Sequence, residues 1–207
     1  MIRTALSMLV LLAFAGGVAQ ASGDASAGKA KAGLCAACHG ADGNSGGATP
    51  TWPSLAGQHE GYLAKQLVEF QEGTTRSNSV MAPMIANLNA QDIADVSAYF
   101  ASLPRRGMLA DEQAKELVAK GERLYRGGNK KTGIAACMAC HGPDGSGNAL
   151  AGFPRLNSQH AQYTAIQLKA FRDGDRSNDL NGMMRDIATR LTDDEIAAVS
   201  AYLTGLN

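Results

Sequence analysis

Two short segments carry the clearest chemistry in this chain: Cys35-Ala36-Ala37-Cys38-His39 and Cys137-Met138-Ala139-Cys140-His141. Two thiols three residues apart on one turn can add to the two vinyl groups along one edge of a haem, and the adjacent His then presents its imidazole to the iron. Two covalent tethers and a proximal ligand thus come from five consecutive residues. Other uses of the four cysteines fit less well. Disulfides leave both histidines without a role, and structural zinc needs four ligands gathered per site. A thioredoxin-like dithiol follows a strand in a βαβ unit, and the sequence shows no sustained strand-type alternation. The expectation is two covalently bound haem c groups, attached at Cys35, Cys38, Cys137 and Cys140, with His39 and His141 as axial ligands.

The sixth position on each iron decides between electron transfer and ligand chemistry. Met81 and Met84 are the thioether candidates in the first half, Met183 and Met184 in the second, with His59 and His160 as imidazole alternatives. Aligning Leu88 with Leu191 and Tyr99 with Tyr202 pairs Met81 with Met184 at an offset of 103. Anchoring on Arg76 and Arg176 pairs Met84 with Met184 instead. The first alignment makes Met81 and Met184 the chosen ligands, because a soft thioether favours ferrous iron and saturates the metal. Around the proximal side, the carbonyls of Pro53 and Pro154 are candidates to accept the Nδ1 proton of each His. Trp52 and Phe153 are placed to pack on the haem. Arg76 and Arg176 either face haem propionates or are solvated loop charges, and His59 and His160 otherwise make surface or capping hydrogen bonds.

The elements that must position these residues form a tandem repeat. Gln58-His59-x-x-Tyr62 with Gln66-Leu67 recurs as Gln159-His160-x-x-Tyr163 with Gln167-Leu168, and Val96-Ser97-Ala98-Tyr99 recurs as Val199-Ser200-Ala201-Tyr202. Apolar residues at three-to-four spacing (Tyr62, Leu63, Leu67, Phe70; Ile93, Val96, Phe100) predict helices in each copy. Asn89 with Asp92, and Thr192 with Glu195 as a capping box, mark helix starts. The fold class is therefore all-α. Residues 1–21 read as a cleavable signal peptide, with Arg3 before an apolar run too short to span a bilayer. The remainder divides into units 22–104 and 105–207 near Leu103-Pro104-Arg105-Arg106-Gly107. With aromatics at only 5% and 24 glycines, each unit's own side chains make a thin core that a large apolar cofactor would fill.

Formal net charge is zero, which excludes the basic footprint of a nucleic-acid binder. Residues 22–104 hold 4 basic and 7 acidic groups, and residues 105–207 hold 14 and 12, which reads first as a solvated surface of no consequence and otherwise as a dipole that orients a partner.

With both motifs, the following prolines, the Gln-His-x-x-Tyr segments and the paired methionines, the chain resembles the dihaem cytochrome c4 family over nearly all of its mature length. The stretch Ala151-Gly152-Phe153-Pro154-Arg155-Leu156 through Gln159-His160 carries the resemblance most specifically, and the lengthened loop Ala48-Thr49-Pro50-Thr51 departs from it. The resemblance implies two tandem class I cytochrome c domains related by a pseudo-twofold, haems close at their interface, and Met81 and Met184 at the axial positions. It further implies a periplasmic electron carrier with no catalytic residues, working between a membrane-bound donor complex and a terminal oxidase and open to peripheral membrane association. The alternatives are a dihaem peroxidase-like enzyme or a dihaem subunit of a dehydrogenase complex.

Overall fold

The computed structural model describes residues 22–45 and 51–206. The expected signal peptide, and Ala48 to Pro50 of the lengthened loop, lie outside them. Ten α-helices build two units of one design, and no strand forms among the described residues. The first unit comprises α1 (Ala25–Lys31), α2 (Gly33–His39), α3 (Glu60–Glu72), α4 (Met81–Ile85) and α5 (Ala90–Ser102). The second comprises α6 (Lys115–Gly127), α7 (Met138–His141), α8 (Ala161–Asp173), α9 (Met183–Ala188) and α10 (Asp193–Gly205).

Local chemistry sets the ends of these helices. Asn89 and Thr192 each cap a 13-residue helix and close a full capping box with Asp92 and Glu195, so both expected start signals operate. At the other end of α3 and α8, Gly73 and Gly174 adopt the left-handed conformation that terminates a helix without a Cβ penalty.

In each unit the first and last helices cross at very short range, α1 on α5 and α6 on α10. Glycine makes the crossing possible. A Cβ on Gly28 would stand 2.0 Å from the Asp95 carbonyl oxygen, and one on Gly121 would stand 2.0 Å from that of Ala198. Lys31 reinforces the first crossing by bonding both Asp92 and Asp95 at 2.7 Å.

The two cores are unequal. The second unit buries Leu124, Tyr125, Ile134, Ile196, Val199, Tyr202 and Leu203 in one cluster, with Cys137 and Met138 packed against it. The first buries only Ala32, Leu63 and Phe100 in its cluster, with Cys35 alongside. Both Cys-x-x-Cys segments therefore border the core of their own unit.

Candidate haem sites and the face between the units

Each motif histidine ends a helix. His39 closes α2 before Gly40, and His141 closes α7 before Gly142. Both are 6% exposed, and burial pushes both imidazoles below their ordinary pKa, keeping them neutral. The Nδ1 proton of His39 is donated to the Pro53 carbonyl at 2.8 Å, and that of His141 to the Pro154 carbonyl at 3.0 Å. A carbonyl can only accept, so Nδ1 carries the proton and Nε2 keeps its lone pair. That is the tautomer a metal-binding imidazole needs, and the orientation is fixed from the far side of the ring. The Phe153 ring lies 6.1 Å from that of His141.

The four thiols are unjoined in the structure. Burial raises the Cys35 thiol and pushes Cys137 up to about 11. A redox-active dithiol carries the opposite shift on its attacking sulfur. Among the described residues no three His, Cys, Asp or Glu side chains gather into a metal-binding cluster.

Packed on α3 and α8, α4 opens on Met81 and α9 on Met183-Met184. Met81 and Met184 are half-buried, whereas Met84 and Met183 are exposed at 41% and 36%. Ile85 and Ala188, the buried residues of these two helices, stand 103 apart, the same offset as Met81 and Met184. Asn78 accepts hydrogen bonds from the Val80 and Met81 amides at 2.9 Å and so sets the start of α4. The Gln71 side chain on α3 donates to the Ile85 and Leu88 carbonyls, and Arg172 at the matching place on α8 donates to Leu191.

The repeated polar residues meet at the face between the units, an arrangement that periodicity alone does not reveal. Gln159 accepts from the Ser54 amide and donates to its carbonyl, at 2.9 and 3.0 Å, and Gln58 does the same to Arg155, both at 2.9 Å. His59 and His160 sit at the N-caps of α3 and α8 without capping them. Their Nε2 atoms reach the Ser146 and Ser45 carbonyls of the opposite unit.

Arg76 and Arg176 are neither solvated nor free. They are 5% and 6% exposed and pair as an isolated antiparallel bridge. Arg76 donates to Tyr163 and Gln167, and Arg176 to Tyr62 and Gln66. The guanidiniums also stack on Phe70 and Phe171 at 4.3 and 4.4 Å from the ring centroids. Burial works to raise the Tyr62 hydroxyl pKa, and the two guanidiniums together outweigh it, so the net shift is downward. The Gln58/Gln159, His59/His160 and Arg76/Arg176 contacts are reciprocal, as in a pseudo-twofold, isologous interface, whereas Asn178 adds one-sided bonds to Gln66 and Glu69.

A pair of helical units, each presenting a buried neutral His beside two thiols on one turn, defines a tandem class I c-type cytochrome. The cytochrome c family model matches residues 25–104 and 118–207. The chain is 53% identical over 187 residues to cytochrome c4 of Thiocapsa roseopersicina, covering 89% of this chain and 94% of that one. The crystal structure of reduced recombinant cytochrome c4 from Pseudomonas stutzeri superposes with a TM-score of 0.85 at 45% identity, covering 90% of this chain and all of that one. The thiosulfate dehydrogenase electron acceptor of Stutzerimonas stutzeri is 41% identical over 83% of this chain and 78% of its own. The chain belongs to the cytochrome c4 family. It is an electron carrier with two haem c groups, one for each Cys-x-x-Cys-His segment.

Proposed function

We propose that units 22–104 and 105–207 each hold one haem, through Cys35 and Cys38 with His39, and through Cys137 and Cys140 with His141, and that Met81 and Met184 complete the two irons. The observation that carries this reading is the matched pair of buried imidazoles, each with Nδ1 committed to a proline carbonyl and Nε2 left to ligate. The half-burial of Met81 and Met184 beside exposed Met84 and Met183 supports the choice of thioethers. The haem supplies the one-electron couple. The chain's part is to keep both axial positions filled, so that electrons pass and small molecules do not bind. Residues 1–21 direct export, the protein works in the periplasm, and it carries electrons from a membrane-bound donor complex to a terminal oxidase, open to peripheral membrane association.

The likeness to a thiosulfate dehydrogenase electron acceptor supports a second source of electrons, a dehydrogenase that docks this carrier. The test is a redox titration of the matured protein that follows the Met-to-ferric-iron absorption band. Two low-spin His/Met centres are expected. A five-coordinate signal at either centre, or peroxide turnover by the native protein, overturns the ligand assignment.

A further inference from the structure

Asn181-Gly182 is the one Asn-Gly pair in the sequence, and Asn181 stands three residues before Met184. Its place matches Asn78-Ser79, at the same offset of 103 that relates Met184 to Met81. The two asparagines are used differently. In the first unit the Asn78 side-chain oxygen accepts from the Val80 and Met81 amides, both at 2.9 Å, and is committed to starting α4. In the second unit Asp179 ties down the first turn of α9 instead, accepting from the Arg185 amide at 3.0 Å and from its guanidinium at 2.8 Å. Asn181 is left exposed, and its side chain has no hydrogen bond among the described residues.

The backbone at this pair is a type I′ turn. Asn181 has φ 53° and ψ 22°, Gly182 has φ 72° and ψ 15°, and the Met183 amide closes the turn on the Leu180 carbonyl. One further bond, from the Gly182 amide to the Asp179 carbonyl, is long at 3.3 Å. For the Gly182 nitrogen to reach the Asn181 carboxamide, ψ of Asn181 must rotate and that long bond must break. The turn lies between Leu180, 66% exposed, and Met183, also exposed, so opening it uncovers no core. Gly182 carries no Cβ to crowd the attacking nitrogen, whereas Ser79 does.

We infer that Asn181 is a site of spontaneous deamidation, which places a negative charge in the turn leading into the Met184 helix. The Gly182 nitrogen gives its proton to a solvent base and bonds the Asn181 Cγ, closing a cyclic imide. The carboxamide nitrogen takes up a proton and leaves as ammonia. Water then opens the imide at either carbonyl, giving aspartate or isoaspartate, with no oxidation or reduction. Isoaspartate routes the backbone through the former side chain and lengthens it by one carbon, which the type I′ turn before α9 cannot absorb unchanged. The effect on the second haem rests on the reading of Met184 as its ligand, and the modification itself does not.

The test ages the matured full chain at mildly alkaline pH and maps its peptides, with Asn78 as the reference within the same molecule and Asn181→Gln as the control. Deamidation at Asn181 is expected to be at least about tenfold faster than at Asn78. Its rate should rise with pH, because the attacking nitrogen must be deprotonated. The Gln variant, whose imide needs a larger ring, should lose the reaction at this position. The aged fraction, separated by its added negative charge, should have the reduction equilibrium of its second haem shifted towards the ferric form by about threefold, with the first unchanged. Equal rates at the two asparagines overturn the site, and a deamidated fraction with both potentials native overturns its effect on the haem. A chain that lacks a Met-to-iron band before ageing fails the ligand reading instead, and the peptide map still decides the site.

Discussion

Replacing Gln159 by Ala removes the carboxamide that closes a two-bond clasp on Ser54 across the interface. The side chain is 6% exposed, and both of its contacts with Ser54 are buried. Truncation strands the Ser54 amide and carbonyl and also the His160 amide, each worth about 1–3 kcal/mol when left dry, so the gross cost is about 3–9 kcal/mol. Water entering the vacated space recovers part of this, which places the expected net loss near 2–4 kcal/mol. Gln58→Ala should behave alike, because it removes the reciprocal clasp on Arg155. The two clasps are joined through one interface, so the double variant should not be additive. Urea unfolding followed at each haem is the assay, with Gln113→Ala, on an exposed turn, as the control expected within about 0.5 kcal/mol. Wild type should unfold in one transition, and the double variant in two. A loss under about 0.5 kcal/mol in both single variants, with a single transition kept in the double, would refute the view that these carboxamides hold the units together.

Other substitutions probe other links. Gly121→Ala should destabilise by about 1–3 kcal/mol despite better helix propensity, since its Cβ meets backbone at 2.0 Å. Gly127→Ala in the same helix meets nothing within 4 Å and should be neutral or stabilising, and thermal melts of the pair give the contrast. Acid should loosen the first unit before the second. Asp95 is held down to about 2, chiefly by its bond to Lys31, against an ordinary 3.8. A depressed carboxyl contributes stability above its unfolded pKa and loses it as pH falls through the folded one, so the Lys31–Asp95 contribution fades between about pH 4 and pH 2. Circular dichroism of wild type and Asp95→Asn checks this, the variant showing less change over that window. Met81→Leu should abolish the Met-to-iron band of one haem, whereas Met84→Leu leaves both intact, and ferric absorption spectra distinguish them.

The haem motifs, the helix caps and the repeat were legible because each is encoded within a few residues. A capping box is visible as Thr192 with Glu195, and Asn89 with Asp92 closes the same way although its acidic partner is the shorter Asp. The choice between Met81 and Met84 was harder. Arg76 and Arg176 give one register and the last helices another, since the loops between differ in length, and burial of Ile85 and Ala188 supports the second. The interface was not legible at all. Gln58, His59, Gln66 and Arg76 are polar residues that read as the outer face of a helix or a loop, and only a facing copy of the same segment turns them inward. Their recurrence was visible, but repetition is equally expected of two independent units.

That reciprocity also explains why a polar face can hold two electron-carrying units in a fixed relation. The apolar clusters lie within each unit, so little non-directional attraction is left for the junction. Hydrogen bonds from Gln58, Gln159, His59 and His160 end on backbone atoms of loops that themselves carry Pro53, Pro154, Ser45 and Ser146. The same loops orient His39 and His141. A shift of one unit against the other therefore strains the groups that fix the two imidazoles, and an apolar interface of equal area would slide without that penalty. Directional bonding at this face couples the spacing of the haems to the support of their proximal ligands, which is where a carrier that passes electrons between two centres needs rigidity.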